Sequence, residues 1–430
     1  MYISYDKHGI IKMTSMQPIH AMGRSTIKTD QFDSSNYLVG KRVVLGKRSD
    51  KLRIALIVNW GDKCGISTYT ENLTNALRPK VQEVKIFSEH IANVDAERDK
   101  VNNVVRCWRR GESMVPAIKA VLDWRPDLVF IQHEFGIFPK ATHFLKMLEM
   151  LNDTPYVITL HSVYEHLDKT ICTAYIKAMI VHSEAARESL FRNGHRNNIH
   201  VIYHGCVEYP DNSELWNIFQ NDYAVIQFGF GFNYKGVDMA IDAISHLKRT
   251  QEKFKDIFYC YLCTESPHTK SIQQEYYNHL STRVAELGLE DNVAIMRGFL
   301  SEQHVCNFLR TAKLAIFPYR NDEKNIVYGA SGAIRNAMAN AVPVIASDCH
   351  HFDEFDGVLP RVKDSVELSQ EIDKVFSDQA YRDALVERCL NFVKQHSWDK
   401  TADQHLAAFR KVIDANEADL VRVENYEVIG

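Results

Sequence analysis

Four small residues, Gly329, Ala330, Ser331 and Gly332, lie between an apolar run ending at Phe317 and a helical pattern from about Ala333 to Asn340. A strand, a small-residue turn and a helix start together make an anion site. The first amides of a helix have no internal partner and point their positive end outward. Small residues let a phosphate approach that backbone closely. A second turn of this kind is NWGDKCGISTYT, Asn59 to Thr70, in which Gly61 and Gly65 precede a helix start. A third is GFGFNYKG, Gly229 to Gly236, in which Lys235 can meet a phosphate as a point charge. Two histidines complete the set. His133-Glu134 follows the apolar run Leu128 to Gln132, and His161-Ser162 follows Val157 to Leu160. One histidine after a strand is usually a hydrogen-bonded structural residue. Two at successive strand ends, opposite a lysine and a Gly-Ser turn, point to a shared site.

Positioning these residues requires two alternating α/β units. RIALIVN from Arg53 reads as a buried strand. Further strands are expected at Glu83 to Ser88, Asp127 to Gln132, Tyr156 to Leu160, Ala178 to His182 and His200 to Tyr203, with helices between most of them. Gly205, Pro210, Asp211, Asn212 and Ser213 read as a linker. The alternation restarts with strands at Tyr223 to Phe230, Ile257 to Cys263, Val293 to Arg297 and Leu314 to Phe317, and with an apolar run at Val342 to Ala346. Strands alternating with helices imply parallel, doubly wound sheets, which bind ligands beyond the carboxyl ends of their strands. The expectation is an α/β protein of two Rossmann-like domains facing across a cleft. Residues 1–50 form an N-terminal extension, 51–207 a first domain, 208–395 a second, and 396–430 a C-terminal helix that can pack on either. The extension carries the basic cluster Lys41, Arg42, Lys47 and Arg48, and Val43-Val44-Leu45 could make a short edge strand. That composition suits an arm on the domain surface, or a contact with an anionic acceptor or membrane surface.

Composition excludes several classes. A net charge of -4 over 430 residues gives no reason to expect a polyanion-coating protein. No apolar run approaches the ~18 residues of a membrane span, and the N-terminus lacks the pattern of a secretory signal. Nine cysteines in so long a chain suit a reduced, cytoplasmic protein. Cys260 and Cys263 have metal-type spacing but no second pair. GFGFNYKG lacks the G-x-G-x-x-G spacing, and no Walker pattern occurs, which argues against an NTPase.

The ordered motifs carry a resemblance. They are CGISTYTENL (Cys64 to Leu73), IQHEFGIF (Ile131 to Phe138), TLHSV (Thr159 to Val163), VHSEAARESL (Val181 to Leu190), VIYHGC (Val201 to Cys206), FGFNYKG (Phe230 to Gly236), RGFLSEQ (Arg297 to Gln303) and FPYR…ASGAIRNAMANAVPVIAS (Phe317 to Ser347). From about residue 53 to 348 the chain resembles a glycosyltransferase of the two-Rossmann-domain GT-B type, in the large retaining family 4 (group 1). Ser397-Trp398 extends the likeness toward the C-terminus, and residues 1–50 lie outside it.

The resemblance implies a nucleotide-diphosphate sugar as co-substrate, held mainly by the second domain, and hexosyl or pentosyl transfer to an acceptor on the first. Lys235, Ser331, Gly332 and Ala333 would neutralise the diphosphate, with Gly65 and Ile66 approaching from the other side. Phe299 and Leu300 fall where the family's backbone meets the nucleobase. His161 matches the family's histidine near the transferred sugar, and His133 and Glu134 would line the acceptor side. Where many members carry two glutamates, one for the sugar hydroxyls and one for the ribose, this chain has Tyr328 and Asn336. That departure resembles a subgroup that reads Pro-Tyr…Ser-Gly, as Pro318-Tyr319 and Ser331-Gly332 do here, with Tyr319 given no role of its own. Arg320 or Arg335 would supply the positive charge that the subgroup places where Phe232 stands. No metal and no cofactor is expected. The acceptor class is a carbohydrate or a lipid-linked sugar, at the inner face of a membrane or in the cytoplasm. Two alternatives accompany it: transfer to a modified base in nucleic acid, and a sugar-nucleotide-binding partner subunit that has lost catalysis.

Overall fold

The structure is a computed structural model that describes residues 3–5, 11–13, 51–171, 176–195, 198–208, 218–219, 221–265, 270–298, 300–321 and 326–427. The basic cluster at Lys41 to Arg48 and the Val43-Val44-Leu45 segment lie outside it. Two short strands, β1 (Ile3–Tyr5) and β2 (Ile11–Met13), pair antiparallel.

The first large sheet takes β3 (Arg53–Val58), β4 (Glu83–Glu89), β5 (Val104–Trp108), β6 (Leu128–His133), β7 (Tyr156–Leu160), β9 (Met179–Val181) and β10 (Ile199–Val201), with β8 (Ser162–Tyr164) set apart. Its order is β10-β9-β7-β6-β3-β4-β5, and every pairing is parallel. Continuous apolar runs such as Ile54 to Val58 are what a strand covered on both faces requires. Ala55 and Ile57 serve one core, and Ile54, Leu56 and Val58 serve the other.

The second sheet takes β11 (Ala224–Phe230), β12 (Phe258–Thr264), β13 (Val293–Arg297), β14 (Leu314–Phe317), β16 (Val344–Ser347) and β17 (Arg361–Val362), in the order β13-β12-β11-β14-β16-β17, again all parallel. In both sheets the first strand sits in the middle and the connections leave it in opposite directions. That is a topological switch point, where the loops at the strand ends part and leave a crevice. The loop after β3 and the segments after β6, β11 and β14 all open there, so the sheet order alone gathers Gly65, Glu134, Lys235 and Tyr319.

A connection that sequence reading missed joins the halves. β15 (Val327–Gly329) pairs antiparallel with β8, in the register Val327 to Tyr164, Tyr328 to Val163 and Gly329 to Ser162. The C-terminal helix, Trp398–Glu427, packs on the first domain, where Trp398, Leu406, Phe409 and Val412 join the core of β3 and β6. Among the described residues no helix is long and apolar enough to cross a membrane.

The helix reaches the first domain at a tight crossing. Cys206 N–H donates to His396 O at 2.7 Å, and Cys206 and Ser397 form a parallel bridge. A Cβ on Gly205 would fall 2.4 Å from the Trp398 ring. Gly205→Ala is therefore expected to lower unfolding free energy by about 2 kcal/mol or more in urea titration. Gly65→Ala, where a Cβ meets nothing within 4 Å, should change it by less than about 1 kcal/mol.

Candidate functional site

On the second-domain side, Ser331 is the N-cap of the helix Gly332–Ala339 but makes no side-chain capping bond. Its hydroxyl lies 3.1 Å from the Tyr319 hydroxyl instead. The amides of the first turn thus remain for a ligand. The Tyr319 ring also forms the floor under Lys235, whose Nζ stands 3.8 Å from its centroid and 4.7 Å from that of Tyr234. Tyr319 therefore brings the lysine and the serine turn into one place.

Lys235 ends a short 3-10 turn, Asn233–Lys235, and is only 8% exposed. No described carboxylate forms an ion pair with it. Burial without a counter-charge pulls its pKa down to about 7. The turn exists because of Gly236, at φ 63°, where a Cβ would lie 1.8 Å from the Pro318 carbonyl oxygen. Any other residue would push β11's loop away from β14's and carry the lysine with it. His351 stacks on Tyr234 at 5.7 Å, and burial, with Lys235 adding to it, pushes its pKa down to about 3.

On the first-domain side, His161 donates through Nε2 to Gln132 Oε1 at 2.7 Å. Its ring meets Tyr69 edge-on at 4.7 Å and lies 5.4 Å from His182. Burial and the neighbouring histidines hold its pKa well below the ordinary value, so the ring is neutral at pH 7. Glu134 Oε1 accepts from the Phe135 amide at 3.0 Å and from the Tyr164 hydroxyl at 3.4 Å. Ser162 adds a third bond, yet burial still raises the carboxyl's pKa. Asp168, fully buried nearby, is pushed up to about 8 by burial and by the Glu134 charge. The helix Gly65–Leu77 is capped by Cys64, whose Sγ accepts from Ser67 N–H at 3.4 Å. Gly65 is exposed, Ile66 packs half-buried on the core, and Tyr69 one turn later touches His161, His182 and His204.

The two sides meet over Arg335. Its guanidinium is 1% exposed and ion-paired with the buried Glu354. It also donates to His204 O and to Ser331 O, each at 3.0 Å. Burial raises the Glu354 carboxyl, and Arg335 beside it opposes the rise. Cβ positions built on Gly329 and Gly332 would approach His161 O at 3.3 Å and His204 Nε2 at 3.4 Å. The anion turn thus lies against the first domain's histidines.

Lys235, Ser331, Gly332, Ala333, His161 and Glu134 are brought to one seam, with Gly65 and Ile66 at the start of the helix that abuts it. Other expectations need correction. His133 does not line the cleft. It is 0% exposed, stacked on Phe138 at 5.6 Å and beside Phe144 at 4.5 Å, and neither ring nitrogen has a partner. Neither arginine supplies a free positive charge. Arg320 pairs with Asp238 at 2.7 Å, and Arg335 with Glu354. Tyr328 does not reach a sugar site but is buried in the first domain's core. Two further expected residues keep their places: Asn336 is half-buried on the helix that follows the anion turn, and the Leu300 side chain packs on the second domain's core. Phe299 lies outside the described residues. Sequence reading missed Tyr319, Tyr69, His204, His351 and Glu354. His351 could have been found by the rule that found the others, since it follows the buried run Val344 to Ser347. Among the described residues no group of His, Cys, Asp and Glu side chains is placed to hold a metal ion.

Two outcomes follow. The folded lysine titrates near 7 and an unfolded one at about 10.4. Between those values the unfolded chain holds more protons, so stability at this site rises with pH across that window. An anion needs the charged form. Pyrophosphate affinity, measured by calorimetry, should therefore weaken as pH climbs from 7 to 9, and Lys235→Met should lose both the affinity and its proton-linked part. For His133, the folded value near 3 lies below the unfolded ~6.5. The penalty of charging it grows as pH falls through that interval. His133→Phe should reduce the acid loss of stability by about 1.4 kcal/mol per pH unit there, read from urea midpoints, and leave pyrophosphate binding unchanged.

Residues 64–207 match a family model described as Glycosyltransferase Family 4, and residues 224–378 match Glycosyl transferases group 1. Similar solved structures have the same two-domain frame. HepE from Anabaena, in complex with UDP and glucose, has a TM-score of 0.60 at 16% identity, over 83% of this chain and 98% of that one. An α,α-trehalose 6-phosphate synthase from Burkholderia multivorans reaches 0.65 at 13%, over 86% and 98%. The E. coli trehalose-6-phosphate structure bound with UDP-2-fluoro glucose reaches 0.64 at 10%, over 83% and 98%. At such identities the likeness speaks for the fold, which is GT-B. With a Glycosyltransferase Family 4 model matching its first sheet and a Glycosyl transferases group 1 model its second, the chain is a glycosyltransferase of the GT-B fold.

Proposed function

We propose that this glycosyltransferase takes a sugar from a nucleotide-diphosphate sugar and transfers it, with retention, to a hydroxyl of a carbohydrate or lipid-linked acceptor in glycan or glycolipid assembly. The observation that carries the reading is Lys235. A buried ammonium with no carboxylate partner among the described residues, across Tyr319 from an uncapped helix N-terminus, suits a diphosphate. The UDP and UDP-2-fluoro glucose in the similar structures support a ligand of that class. Residues 208–395 then form the donor domain, and 51–207, with Glu134 and His161, the acceptor domain.

Cleavage of the sugar–phosphate bond leaves positive charge on the ring and negative charge on the departing diphosphate. Lys235 and the amides of Gly332 and Ala333 stabilise that charge as it develops, and their donors are already oriented. They make a metal unnecessary for that task. Because Lys235 is dry, its attraction for the leaving group is stronger than it would be in water. A leaving-phosphate oxygen can take the acceptor proton on the same face, which gives retention without an enzymic base. His161, neutral and oriented by Gln132, offers a hydrogen bond to the sugar without adding positive charge beside a cationic ring. Glu134, its proton held more tightly than usual, can anchor an acceptor hydroxyl.

A panel of sugar nucleotides screened for thermal stabilisation tests the reading. The matching donor at a hundred times its dissociation constant adds about 2.7 kcal/mol, with or without EDTA, and Lys235→Met abolishes the effect. The anomeric proton coupling of the product, read by NMR, should show the donor's own configuration. A product of opposite configuration would exclude retention.

A further inference from the structure

The clasp between β8 and β15 lies between the two halves of the site, and its side chains serve both. Ser162 and Tyr164, two residues apart and so on one side of β8, give their hydroxyls to Glu134. Between them Val163 is fully buried and pairs with Tyr328. Tyr328 comes from the second domain, yet its ring is 7% exposed and belongs to the first domain's core. Its hydroxyl accepts from Arg192 at 3.4 Å, and Arg192 is held by Glu165 at 2.8 Å. Two residues beyond β15 the chain reaches Ser331 and the anion turn. A two-stranded ladder of three residues is marginal alone in water, so the seated ring is what holds it.

We propose that Tyr328 is a positioning residue, which pins β15 to β8 and thereby holds the donors of Glu134 in register against a diphosphate turn that the second domain forms by itself. The pairing of donor and acceptor sites, on this view, is made by one side chain crossing the seam. The inference rests on the glycosyltransferase reading for its purpose, but the clasp itself can be measured without a sugar substrate. The groups facing Glu134 are Ser162 and Tyr164 on β8, Asp168 in the turn that follows, the Phe135 and Gly136 amides in its own loop and Tyr234 from the second domain. Loss of the clasp removes the first two from their register.

Amide hydrogen exchange over 162–164 and 327–329, with and without pyrophosphate, tests this in the full chain, in Tyr328→Phe and in Tyr328→Ala. The wild type and the phenylalanine variant should show slow exchange in both segments. The alanine variant should exchange at least about tenfold faster there, while its pyrophosphate dissociation constant rises by less than about threefold, because Lys235 and the turn belong to the second domain. Val163→Ala, which removes the buried β8 side chain paired with Tyr328, should reproduce the pattern if the alanine variant does not fold. Retained protection in the variants overturns the proposal. So does loss of pyrophosphate binding by Tyr328→Ala as complete as that of Lys235→Met, since the tyrosine would then be part of the anion site. A wild-type chain that ignores pyrophosphate but loses protection in Tyr328→Ala would refute the diphosphate reading and leave the clasp standing.

Discussion

An ammonium group seated against two tyrosine rings, with no ion-pairing carboxylate among the described residues, is the constraint around which this protein is built. Burying a charge is costly unless something compensates it, and Lys235 has the ring faces of Tyr234 and Tyr319 beside it. The surrounding residues make sense as the means of holding it there. Gly236 lets the loop after β11 close onto Pro318, and Gly229 leaves room beside the lysine stem, where a Cβ would meet Cε at 3.8 Å. Tyr319 supplies the floor and passes its hydroxyl to Ser331, so the helix that presents its free amides is held against the same pocket.

The seam behind this pocket is polar but carries almost no net charge. Arg335 and Glu354 cancel each other in a buried pair whose other bonds go to backbone carbonyls. Such a pair contributes little to stability, but breaking it by removing one partner leaves a charge stranded. Around Tyr69 the rings of His161, His182 and His204 lie within reach of one another, and His405 meets the tyrosine hydroxyl at 3.3 Å. Burial pushes all four below the ordinary histidine range, His182 to about 4 and His405 to about 3. They orient without charging. Positive potential in the cleft is thereby concentrated at Lys235 and the helix amides, where a leaving diphosphate would need it, and kept away from a sugar ring that becomes cationic.

What was legible in the sequence follows from how each element buries itself. The central strands are unbroken apolar runs because both faces are covered, and those runs announce themselves. β5 was not visible: VVRCW at a sheet edge mixes Arg106 into a half-buried pattern. β8 and β15, three residues each, have no local signature at all, because each exists only through the other. The same limit separates two histidines. His133 and His161 both follow apolar runs, but His133 is still inside its strand, where alternation turns it toward Phe138 and Phe144, and Gln132 beside it reaches His161. His161 comes one residue after β7 and stands at the crevice. A single position along the chain decides between a core histidine and a site histidine. Tyr328 was misplaced for a related reason. Its sequence neighbours belong to the donor turn, and nothing local says that its ring crosses to the other domain.

The corrections change how the work is divided between the domains. With Arg320 paired to Asp238 and Arg335 to Glu354, the second domain's proposed diphosphate site rests on one lysine and a helix end. With Tyr328 withdrawn into the first domain and Asn336 taking the other place, this turn offers no carboxylate to the sugar. Recognition of sugar hydroxyls must then come from groups that face the pocket from elsewhere. Among the described residues, those proposed for that task are His351, stacked on Tyr234 beside the lysine, and His161 and Glu134 across the seam. Two of those three belong to the first domain, so under the proposed reading sugar selection would depend on the seam more than phosphate binding does. Charge is supplied by one half and hydrogen-bonding shape by the other.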